Sequence, residues 1–180
     1  GAALMGAAGA AATPVLFSPE VLAQGIALSA VVFAVQVGAE EVFFRGWLQP
    51  LLCLRWGPWV GLTVTSVLFG AAHALLQPVS ALAVLNITLA GAVFGLLALR
   101  TGGLWAPFAA HWVWNWGEQS IAGATPNPGV DSIGSLFDID LSGPALFSGG
   151  PDELNGALST TIVLSALLAV FVLWGARSRR

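Results

Sequence analysis

The sequence predicts an all-α protein, a polytopic transmembrane helix bundle with about five spans. Three observations predict it. Of 180 residues, 57% are hydrophobic and only 8% are charged, against the roughly 25% that clothe a soluble domain. Mean hydropathy is +0.84. Apolar stretches near the ~20 residues needed to cross a bilayer recur along the chain, separated by Pro, Gly and Arg. An ordinary soluble enzyme and a disordered chain are excluded. All six basic residues are Arg and they are scattered, so no basic patch exists for a nucleic-acid backbone. The single cysteine, Cys53, excludes a disulfide framework and a multi-thiolate metal centre.

Residues 1–20, rich in small side chains, lack the basic flank of a signal peptide. They read as a loop or the remnant of an upstream span. A four-span core is expected over 21–122. Val21–Ala39 is charge-free, and its helical pattern runs on through Glu40, Glu41 and Arg45 to about Leu54. That is too long for one upright helix, and Pro50 should kink it. Trp59–Leu76 and Ala81–Leu99 follow, parted by a turn at Gln77-Pro78. The fourth span starts at Trp105 or Pro107, a suitable first-turn proline, and ends near Ala122. Residues 123–153 form an acidic, Gly- and Pro-rich extracytoplasmic loop that reads as a solvated linker. Residues 154–180 hold the last span, Leu154–Gly175, and an arginine tail. Five spans put Arg55, Arg100, Arg177, Arg179 and Arg180 on one side, opposite Glu20, Asp131, Asp138, Asp140, Asp152 and Glu153. The positive-inside rule makes the arginine side, and the C-terminus, cytoplasmic.

Glu40, Glu41, Arg45, His73, His111 and Asn115 interrupt otherwise apolar helices. One ionised side chain at the bilayer centre costs roughly 2.5–3.5 kcal/mol on insertion scales, so these groups must meet partners in a protected cavity. Glu41 and Arg45 are four residues apart and able to pair; so spaced are Phe69 and His73, and His111 and Asn115. Glu40 lies about 100° round the helix from Glu41. Glu40 and His73 both stand roughly 20 Å above the turn Trp56-Gly57-Pro58-Trp59, whereas His111 lies only ~10 Å above the Arg100 side. Tilt, or a dipping Thr101–Pro107 segment, is required. Each group alone has a structural reading: a histidine bridging helices, Glu41 with Arg45 as a packing ion pair. Their convergence on three spans favours a functional site.

The chain has no HExxH, no GxSxG and no aspartate within a span, so zincin, serine-elbow and intramembrane aspartyl chemistries are not indicated. A carboxylate and a histidine that could polarise water remain, with a second histidine and an amide as hydrogen-bond donors. That set suffices for amide hydrolysis. The motifs EEVFFRGWLQPLL (from Glu40), SVLFGAAH (to His73) and RTGGLWAPFAAHWVWN (to Asn115) closely resemble, in order, the three motifs of the CPBP (Abi) family, the type II CAAX prenyl endopeptidase-like intramembrane proteases.

That resemblance covers about Gly38–Gly117. It implies a helical bundle of about eight spans, with Glu40 as general base, His73 helping to activate water, and His111 and Asn115 stabilising the oxyanion. Glu41, Arg45 and Phe69 would support them. It implies a substrate that is a membrane-associated peptide or protein, in a lipid bilayer, for a bacterial source the inner membrane. The same residues admit a zinc-dependent version, with Glu40, His73 and His111 as ligands and one open position; the reading carried forward has no obligatory metal cofactor. A non-catalytic membrane adaptor or bacteriocin-immunity-like protein is the alternative. A proton-coupled carrier would need broken helices and an internal repeat, which are not seen.

Overall fold

A computed structural model describes residues 9–14, 18–124 and 135–177. Asp131, Arg179 and Arg180, and most of the segment before Ser18, lie outside the described residues. The protein is an all-α helical bundle trimmed by one short ribbon: β1 (Gly9–Pro14) pairs antiparallel with β2 (Phe137–Ser142), Gly9 opposite Ser142.

Helix α1 (Pro19–Glu41) starts at Ser18, whose hydroxyl accepts from the Val21 amide, with Pro19 in the first turn. It passes without a break into a π-helical segment, Val42–Leu48, and then α2 (Gln49–Trp56). The departure expected at Pro50 therefore lies earlier, in the π turns that precede the proline and absorb its missing N–H. Gly57, at φ 86, turns the chain into α3 (Pro58–Leu76). Ser80 caps α4 (Ala81–Thr101) by accepting from the Ala83 amide. Gly102, at φ 66, ends α4 in the left-handed conformation that favours glycine. Helix α5 (Trp105–Trp116) continues as π turns over Gly117–Ala122. Short helices α6 (Ala145–Ser148) and α7 (Glu153–Gly156) lead to α8 (Leu158–Arg177).

Among the described residues, three helical stretches are long and apolar enough to cross a membrane: Pro19–Trp56, Pro58–Leu76 and Ala81–Thr101. A fourth results if Ala145–Gly156 and Leu158–Leu173, bent by 61°, form one broken span. The sequence-derived count of five is not reached, because Trp105–Ala122 is helical but too polar for that set. Its inner face carries His111, Asn115, Glu118, Gln119 and Ser120, all buried in protein. Outward faces are apolar, with Leu54 88% and Val35 70% exposed, as expected where lipid is the solvent.

Helix α4 is the hub: α3, α5 and α8 all pack on it. Val93, Phe94 and Leu164 form a buried core with Ala110, Leu168 and Phe171 around it. The α3–α4 contact is close because glycines replace side chains there. A Cβ at Gly91 would sit 3.3 Å from the Ser66 backbone, and one at Gly70 3.0 Å from the Val84 carbonyl. Helix α5 hangs on α1 through indole donors, Trp112 to the Ala30 carbonyl at 2.9 Å and Trp116 to Ile26 at 3.2 Å. The Arg100 guanidinium reaches the Val172 carbonyl at 3.5 Å, so α8 ends on the Arg100 side.

The depth mismatch of His111 is resolved by the α4–α5 turn. Leu104 packs against Gly46, where an added Cβ would meet it at 3.2 Å. Gly46 lies ten residues before Trp56, roughly 15 Å along the helix, so α5 starts well above the Trp56 end and lifts His111 to the level of Glu40 and Glu41. The stretch read as a solvated linker differs from that reading over residues 135–153, which form β2, α6 and the start of α7 and bury Ser148 and Gly149. Polar side chains there bond to the bundle rather than to water, as described below.

Candidate active site

Glu41, Arg45 and Gln49 form a polar ladder on the inner face of the first long helix. All three are buried. Arg45 Nη1 donates to Glu41 Oε1 at 2.7 Å and Nη2 to the Gly91 carbonyl at 3.1 Å. Gln49 Nε2 donates to the Gly95 carbonyl at 2.9 Å. In an α-helix, four residues turn about 400° and overshoot by roughly 40°. The wider π turns of Val42–Leu48 advance less per residue, which keeps this spacing aimed at α4. Gly91 and Gly95 offer bare carbonyls because both lack side chains, a small-xxx-small pattern that lets helices approach.

His111 lies between the two acids. Its Nδ1 donates to Glu41 Oε1 at 2.8 Å, and its Nε2 stands 3.8 Å from Glu40 Oε2. Glu40 is held from one side, by Gln36 Nε2 at 3.3 Å to Oε1; its Oε2 has no hydrogen-bond partner among the described residues. The 3.8 Å gap is too long for a direct hydrogen bond and suits a shared water. Phe94 stacks on the imidazole at 4.7 Å with 17° between planes, and Phe69 meets it edge-on at 5.7 Å. Phe69 also lies under the Arg45 guanidinium, 4.4 Å from its centre.

His73 Nδ1 bonds to the Phe69 carbonyl at 2.9 Å. A carbonyl only accepts, so Nδ1 carries the proton and Nε2 keeps a lone pair in the neutral ring. His73, His111 and Asn115 line a cavity of about 140 Å³ together with Phe69, Phe94 and Trp114. Asn115 is buried on the wall of this cavity.

The predicted residues are thus placed as follows. Phe69, His73, His111 and Asn115 share one cavity. Glu40 and Glu41 reach it through His111. The sequence pairs Glu40 with His73, whereas the contact seen is Glu40 with His111. Among the described residues no group of three His, Cys, Asp or Glu is placed to hold a metal ion. Sequence reasoning missed Gln49, Asn86 and Glu118. Gln49 continues the interval of Glu41 and Arg45, and Glu118 is one more acid inside apolar helical sequence; both signals were legible.

A helix bundle that sinks two carboxylates, two imidazoles and a guanidinium into its core defines a class of integral membrane protein with an internal polar site. The family model described as Rce1-like, type II CAAX prenyl endopeptidase, matches residues 22–117. The chain belongs to this family, and its three motifs are those that build the site. An uncharacterized 24.3 kDa protein of Escherichia coli is 36% identical over 74 residues, covering 40% of this chain and 33% of that relative. No solved structure matches the chain.

Proposed function

We propose that this protein is an intramembrane endopeptidase of glutamate type, cutting a peptide bond of a membrane-associated peptide or protein. One observation carries the reading: His111 is braced by Glu41 and faces Glu40 across 3.8 Å, on the wall of a cavity that also presents His73 and Asn115. Glu40 Oε2 and the His73 Nε2 lone pair act on a water molecule. Glu40 takes its proton as the oxygen attacks the carbonyl carbon, and returns it to the departing amine. The carbonyl oxygen gains negative charge, which the Asn115 amide N–H and the Nε2–H of a protonated His111 stabilise. Glu41, clamped by Arg45, fixes the His111 ring by accepting its Nδ1 proton. No step is routed through a metal, since the acids and histidines do not converge as ligands.

The protein is assigned to a bacterial inner membrane, its C-terminus on the cytoplasmic side with Arg55 and Arg100. The test is cleavage of a membrane-anchored reporter in proteoliposomes. Glu40→Ala and His73→Ala, each eluting and melting as a folded protein, should lose it. Full cleavage by both would overturn the assignment, and retained biological activity without cleavage would point to an adaptor.

A further inference from the structure

The matched region ends at residue 117, yet the cavity does not. Pro151, Asp152 and Asn155 complete its wall, facing His73, His111 and Asn115. This stretch is tied to the bundle at three points. Asp152 Oδ2 accepts from the Ser80 amide, the first residue before α4, at 2.9 Å. Asn86, fully inside α4, donates to the Asn155 and Ala157 carbonyls at 2.8 and 3.0 Å, and its own Oδ1 accepts from Thr161 at 2.6 Å. Glu118, just past α5, accepts from the Asn155 amide and from the Trp114 indole. Trp114 lines the cavity too.

We propose that residues 149–157 are the substrate-selecting roof of this site, and that Glu118 is the positioning residue that latches the roof through Asn155. The inference rests on the endopeptidase reading for its substrate and on geometry for the latch. Two further observations support it. The space beneath it, about 140 Å³, is well below the roughly 300–1,000 Å³ of ordinary ligand pockets, so a peptide needs the roof displaced. The latch is also poised to open. Glu118 is buried, its Oε2 has no partner among the described residues, and the charged group acting on it is another acid, Glu153. Lifting the roof returns that carboxyl group to water, where its unpartnered oxygen finds a hydrogen bond, which offsets part of the hydrogen bonding lost. Motion has natural pivots: Gly149 and Gly150 at φ 81 and 59, and the 61° bend before α8.

The test uses the full chain with Cys53→Ser and one new thiol on the cavity wall, Ala90→Cys, timed by its reaction with a small maleimide in detergent. Asn155→Ala or Glu118→Ala should speed labelling about tenfold, as expected when a local opening becomes more populated. Glu118→Gln, whose amide oxygen still accepts from Asn155 and Trp114, should restore slow labelling. In cleavage assays the alanine variants should shift KM more than kcat, and Glu118→Gln should restore the parent KM. Labelling that is equal in all four proteins would overturn the roof, whatever the cleavage result. Latch-dependent labelling with no cleavage by the parent chain would keep the roof and sink the endopeptidase. Should Glu118→Ala fail to fold, Asn155→Ala alone decides, since Asn155 is only half-buried.

Discussion

Glu40 and Glu41 are neighbours with opposite duties, and amide substitution of each should separate stability from chemistry. Glu41 is fully buried, and one oxygen accepts from Arg45 at 2.7 Å and His111 at 2.8 Å. Glu41→Gln leaves the guanidinium with the Gly91 carbonyl and the face of Phe69, a buried charge that has lost its hydrogen-bonded carboxylate. Breaking such a pair costs about 3–5 kcal/mol. At roughly 2–4 °C per kcal/mol for a chain of this size, Tm should fall by about 6–20 °C. Glu40 is 22% exposed, stands 3.8 Å from the His111 imidazole, and makes one bond of 3.3 Å. Glu40→Gln should therefore cost under about 1 kcal/mol, leaving Tm within roughly 4 °C, while turnover falls about 10²–10⁴-fold as a general base is removed. Thermal unfolding in detergent and cleavage in proteoliposomes read the two effects on the same preparations. The reverse pattern, with Glu40→Gln melting early or Glu41→Gln melting normally, would refute the division of labour.

Gln36→Leu should lower turnover about tenfold without moving Tm by more than about 3 °C, because it frees Glu40 Oε1 while removing one long bond; kcat and Tm together check it. Gly61→Ala should destabilise by about 1–3 kcal/mol, since its Cβ would lie 2.6 Å from the Cys53 amide nitrogen and force α2 off α3. Gly95→Ala places a Cβ 2.5 Å from Gln49 Oε1; the side chain can yield, so the loss should be nearer 1 kcal/mol, the value of the Gln49 hydrogen bond. Thermal melts rank the two. Turnover should persist within about twofold under a strong chelator, because the candidate ligands do not share one point; complete, zinc-reversible loss would contradict this.

Much of the architecture is written in apolar run lengths and punctuation. The Gly57-Pro58 reversal, the Ser80 cap and the Gly102 stop mark α3 and α4 to within a few residues. The site was legible as a set of misplaced polar residues, since each costs too much in lipid to be accidental. Pairing was less legible, because the sequence gives depth along a helix and not rotation about it. Two causes shift the pairing: the π turns of Val42–Leu48, which α-helical spacing cannot foresee, and the high placement of the α4–α5 turn. Residues 135–153 read as a linker for a different reason. Pro, Gly, Ser and Asp favour turns locally, and only long-range partners such as Asn86 and Ser80 convert those turns into a wall.

In the proposed mechanism two adjacent acids are needed, because one carboxylate cannot serve both tasks. A base must keep a free oxygen near water, and a brace must have its oxygen fully engaged; Glu40 Oε2 is free and Glu41 Oε1 holds two donors. Consecutive positions on one helix differ by about 100°, which lets one backbone segment present both states to a single imidazole. His111 then ties them together: its Nδ1 is committed to the brace and its Nε2 is left facing the base. The cation belongs to the brace alone, since Arg45 reaches Glu41 and not Glu40 among the described contacts. Moving Arg45 to the other acid would fix the base in place and leave His111 unbraced, which is why the order acid, acid, then arginine four residues after the second acid carries the chemistry.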